Sequence, residues 1–85
     1  MKYIIFEDDK TRLKEPVIFG DHTTHSQVKV ERAHPVSAGF FTIDDDGIVS
    51  TYGDAQSLGL EPKDGDATLL YYVLQGFGTI YFFDF

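Results

Sequence analysis

The 85-residue sequence predicts one small α+β domain, residues 1–85, with elements in the order ββαββα plus a C-terminal strand in an antiparallel or mixed sheet. Three observations predict it. The chain is too short to divide into two cores. Asp46-Gly47 separates two β-prone runs as a tight hairpin turn does. Leu69, Leu70, Val73 and Leu74 share a helical face behind the acids Asp64 and Asp66, which suit the positive end of a helix dipole.

The elements follow in order. Lys2 to Glu7 is a strand with β-branched and aromatic residues at its centre, and polar Asp8 to Glu15 is a loop. Pro16 to Gly20 returns as a second short strand, its proline at the start where the missing N–H matters least. Thr24-His25-Ser26-Gln27 fits a capping box and predicts a short helix over 25–33, ended by Pro35. The alternation Val28-Lys29-Val30-Glu31 fits a strand as well. Val36 to Ile43 and Ile48 to Tyr52 form the central hairpin, and Gly39 marks a bulge or a close contact. Ser57 to Leu60 is a connecting turn, and a helix over about 64–75 ends at Gly76. Residues 77–85 alternate with large apolar side chains on both faces, Tyr81 and Phe83 on one of them. They predict an ordered strand, in the chain's own sheet or across a homodimer. The intrachain version is preferred, because Gly76 lets the chain turn straight back.

Composition narrows the function classes. The chain has no cysteine, which excludes disulfides, thiolate metal sites and cysteine nucleophiles. The apolar run Tyr3 to Phe6 is too short for a signal-peptide core or a membrane span, so a cytoplasmic location and no membrane partner are expected. The net charge of −7 is lopsided. Six bases balance six acids in residues 1–34, whereas residues 35–85 hold eight acids against Lys63 alone. That half repels a phosphate backbone, so no direct nucleic-acid binding is expected.

No pattern of catalytic or metal-binding residues holds together. His22 and His25 stand three apart, with His34 after the expected helix and Asp21 as a further oxygen, but His22 precedes that helix and the shared face is lost. Asp44-Asp45-Asp46-Gly47 begins like a calcium loop, yet the twelfth position is Ala55 where a glutamate is required. Ser37 lacks the glycine frame of a nucleophile elbow, and the glycines form no phosphate-cradling loop. No cofactor and no enzymatic activity are expected.

The blocks Pro16-Val17-Ile18-Phe19, Thr24-His25-Ser26, Pro35-Val36-Ser37-Ala38-Gly39-Phe40 and Ser57-Leu58-Gly59-Leu60 carry one resemblance. Over residues 1–75 the chain resembles a group of small uncharacterised bacteriophage and prophage-type proteins, from which the aromatic tail departs. The resemblance implies a bacterial or phage accessory protein and assigns no site.

The expected function is therefore a small acidic accessory or protein-binding module with a basic protein partner. Its contact residues are expected among Asp44, Asp45, Asp46, Asp54, Glu61, Asp64 and Asp66, with Tyr81 and Phe83 of the tail. The alternatives are an assembly subunit pairing through the aromatic C-terminal strand and a small histidine-dependent metalloenzyme.

Overall fold

Tyr3-Ile4-Ile5-Phe6 is apolar at every position, which suits a strand covered on both faces, and in the computed structural model all four side chains are buried. The structure describes residues 1–76 and the backbone of residues 81–83. The buried run forms the middle of β1 (Lys2–Asp8), the central strand. β2 (Lys14–Phe19) and β3 (Ala33–Ile43) pair antiparallel on its two sides, and β4 (Val49–Tyr52) pairs antiparallel with β3. Among the described residues one α-helix, α1 (Asp66–Leu74), precedes β5 (Tyr81–Phe83), whose backbone runs parallel to β2. The sheet order is β4-β3-β1-β2-β5.

This corrects the expected ββαββα order and with it the expected fold class. The described residues form mostly sheet, with four antiparallel strands and one α-helix near the C-terminus. The helix expected over 25–33 is a single 3-10 turn, His25–Gln27. The Gln27 side chain does reach back to the Thr24 N–H at 2.7 Å, so the capping pattern forms. Propagation fails because Val28 and Val30, two apart, both turn onto the sheet, and no helical face contains both. Arg32 then takes a left-handed φ of 63°, and β3 begins at Ala33. Pro35 ends no helix. It lies inside β3 where the register against β1 shifts between Ile5 and Phe6, an irregularity that accommodates a residue without an N–H.

Both antiparallel turns are organised by an aspartate. Asp8 Oδ1 accepts the N–H groups of Thr11 at 2.8 Å and Lys10 at 2.9 Å, and these bonds hold its carboxyl below the usual range. Asp44 Oδ1 accepts from Asp46 and Ile48, each at 2.9 Å, around Gly47 at φ +81°.

The two sheet faces are covered differently. α1 lays Leu70 over Tyr3, Ile5, Ile18 and Phe41. The opposite face, built on Ile4, Phe6, Val17, Phe19 and Ala38, is covered by loop residues Val28 and Ala55, with Leu58 and Leu60 packed alongside. Each fully buried Val, Leu, Ile or Phe among these contributes about 1.5–3 kcal/mol. The loop reaches the helix through Pro62, whose ring fills the space a side chain would need at Gly39: an added Cβ there would stand 2.8 Å from Pro62 Cγ. Gly39 is thus a close contact, and the register shift falls earlier in β3.

A polar network fastens α1 to the sheet. The buried Asp66 accepts Tyr3 Oη–H at 2.7 Å and the Lys63 N–H at 3.0 Å on Oδ2, and Ser37 Oγ–H at 2.9 Å on Oδ1. Burial, with the bond to Asp66 and its charge, raises the Tyr3 phenol far above its ordinary value, so Tyr3 stays a donor. Asp66→Ala removes the shared acceptor of two buried hydroxyls and of the Lys63 N–H and is expected to cost about 3 kcal/mol, against about 1 kcal/mol for Ser37→Ala. Urea titration of the two variants checks both the sizes and their order.

Candidate protein-binding surface

The β3–β4 turn and α1 lie side by side, and a groove of about 400 Å³ runs between them. Asp46 and Ile48 line it from the turn, and Ala67, Tyr71 and Tyr72 from the helix. Ile48 is 58% exposed, Tyr71 42% and Tyr72 51%, so three large apolar side chains stand open within one groove. The helix buries Leu70 and Val73 on one side, and that choice leaves Tyr71 and Tyr72 off the core. The two tyrosine rings meet edge to face at 5.7 Å.

The expected contact residues fall into four groups. Asp45 and Asp46 are exposed at the turn, and neither carboxylate bonds to another described residue. Asp44 is exposed too, but its Oδ1 is engaged in holding the turn. Asp54 and Glu61 face a second groove of about 520 Å³ together with Lys63, and Asp64 is exposed beside it. Asp66 is corrected: it is 6% exposed and bonded inside the core, so it belongs to the fold and not to a contact surface. The side chains of Tyr81 and Phe83, like residues 77–80 and 84–85, lie outside the described residues. The backbone of Tyr81–Phe83 joins the chain's own sheet at β2.

The tyrosines of α1 are what the sequence reading overlooked. Their signal was present, since positions 71 and 72 fall outside the stripe made by Leu70, Val73 and Leu74.

The histidines are placed apart from one another. His22 is exposed in the turn after β2. His34 sits between two carboxylates, Nδ1 at 2.7 Å from Asp9 Oδ1 and Nε2 at 3.3 Å from Glu7 Oε2. Exposed contacts of this kind contribute little. The described residues contain no group of three or more metal-ligating side chains. Nor do they contain a helix long and apolar enough to cross a membrane.

His25 is buried on the loop-covered face. Its Nε2 lies 2.9 Å from the Gly39 carbonyl, which can only accept, so Nε2 carries the hydrogen. Phe19 and Phe40 meet the ring edge to face at 5.2 and 5.4 Å. Desolvation lowers the His25 pKa below its ordinary 6.5, opposed by the bond to Gly39 and helped by the Lys2 ammonium. The folded protein therefore resists protonation that the unfolded chain accepts. The stability His25 contributes is whole above pH 6.5 and is lost as pH falls below that value toward its lower native pKa. Urea melts from about pH 7.5 to about pH 5.5 should show a smaller acid loss in His25→Gln than in the parent chain. Identical pH dependence in the two would remove His25 as the cause.

No protein-family model, curated protein or solved structure matches this chain, so no residue role is carried over from a relative.

Proposed function

We propose that the chain is a small protein-binding accessory module that receives a basic partner on the groove between the β3–β4 turn and α1. One observation carries this: free carboxylates at Asp45 and Asp46 adjoin an open groove lined by Ile48, Tyr71 and Tyr72. Exposed tyrosine is the residue type that anchors protein interfaces, because a large rigid ring loses little entropy when covered. The carboxylates select the sign of the partner and speed its approach. A cytoplasmic setting and a bacterial or phage origin, as the resemblance implies, belong to the same proposal.

The test uses the chain and its Asp45→Lys/Asp46→Lys double variant as baits in extract of the native host. The parent is expected to retain a stoichiometric basic protein at low ionic strength and to release it near 1 M salt, where the screening length falls to about 3 Å. The double variant, with unchanged fold, is expected to lose it, and Tyr71→Ala to retain less. Equal retention by parent and double variant would sink the proposal.

A further inference from the structure

Resting on that reading of the acidic surface, we propose that the partner segment enters the sheet itself: a basic, extended stretch of another protein adds as a strand along the outer edge of β4. β4 has β3 on one side and, among the described residues, no strand on the other. The register shows which backbone groups face outward. Phe41 spends its N–H and C=O on Met1, at 2.8 and 3.1 Å, and therefore offers neither to β4. Thr51 lies opposite Phe41, so its N–H and C=O point away from the sheet, and Val49, opposite Ile43, repeats the arrangement. Each presents one donor and one acceptor along the open edge.

Sheet edges in natural proteins are commonly blunted by lysine, proline, bulges or a short length. Val49-Ser50-Thr51-Tyr52 carries no lysine or proline and pairs with β3 without a register shift, so within the strand itself only its shortness blunts the edge. What flanks it selects the occupant. Asp44, Asp45 and Asp46 precede the strand and Asp54 follows it. A second copy pairing antiparallel about Ser50 would set Asp46 against Asp54, and a parallel copy would set each aspartate against itself. Both arrangements add repulsion between chains that each carry −7. A strand bearing lysine or arginine meets opposite charge at both ends. Its other face follows Val49 and Thr51 onto the side covered by α1, where apolar side chains reach the groove at Tyr71.

The probe is a blocked peptide of about seven residues alternating lysine and valine, long enough to span a typical strand. It is compared with an analogue methylated on the backbone nitrogens of one edge. Binding to the full chain is followed by amide hydrogen exchange at low salt. The plain peptide is expected to slow exchange at Val49 and Thr51, and the methylated one, of equal charge, to bind on the order of tenfold more weakly through its lost backbone bonds. Equal affinity of the two, or binding without protection of Val49 and Thr51, would overturn strand addition while leaving the acidic surface intact as a docking site. Failure of the plain peptide to bind, or equal binding of a glutamate–valine peptide, would also overturn it. The acidic surface itself fails by a different result, the indifference of partner capture to Asp45→Lys/Asp46→Lys.

Discussion

Asp66 sits at the start of α1 and reaches hydroxyl groups on two strands, Tyr3 of β1 and Ser37 of β3, while also accepting the Lys63 N–H from the loop before the helix. A buried carboxylate is tolerable only where its lone pairs are met, and here three donors from separate parts of the chain meet them. The helix consequently has one seat on the sheet. Apolar contact alone would let Leu69, Leu70 and Leu74 slide over Ile5, Ile18 and Phe41, since hydrophobic burial has no direction. The polar contact supplies the direction. It also sets where Tyr71 and Tyr72 emerge relative to the β3–β4 turn, so the surface groove inherits its geometry from a core interaction.

Much of the sheet was legible because its signals are local. The continuous apolar run of β1, the aspartate-led turns and the Asp46-Gly47 hairpin depend on residues within a few positions of each other. The stretch over 25–33 was not, since its outcome turns on a distant surface: Val28 is buried against the face built by Ile4, Phe6 and Val17, and that demand overrode the capping box at Thr24. Pro35 misled for a related reason. A proline reads as a stop, but a shift in the β1–β3 register gives it a place inside a long strand. On the surface, the acids of the β3–β4 turn were legible from charge alone. Asp66 was not, because counting acids cannot tell a solvated carboxylate from one that three donors have drawn into the core.

Glycine makes the second face possible. The loop over residues 53–64 must lie flat on the sheet without a helix to carry it. Gly53 takes φ +72° with the Phe40 ring where a side chain would be. This close approach lets irregular chain cover an apolar face, while Pro62 rests on Gly39 on the α1 side, in register with Tyr3. Phe40 in turn stacks on Tyr52 at 5.6 Å and bounds the niche of His25.

Chain length ties these features to the open edge. A sheet has two faces and two edges, and the faces hold most of the apolar area that must leave water. Here one helix covers one face and two loops cover the other, while the edge beyond β2 receives β5. Beside β3, the Glu61 carbonyl accepts the Ala38 N–H at 3.4 Å, so the loop closes that side where β4 has ended. The outer edge of β4 receives no strand among the described residues, and it lies next to the unpaired carboxylates and the tyrosines of α1. An open strand edge is a hazard for any chain, because every copy is a candidate to pair with it. Acids at both ends of β4 answer the hazard by repelling copies of the same chain, and the same charges admit a strand of opposite sign. In the proposed strand addition, protection against self-association and selection of a basic partner come from one set of residues, the acids that flank β4.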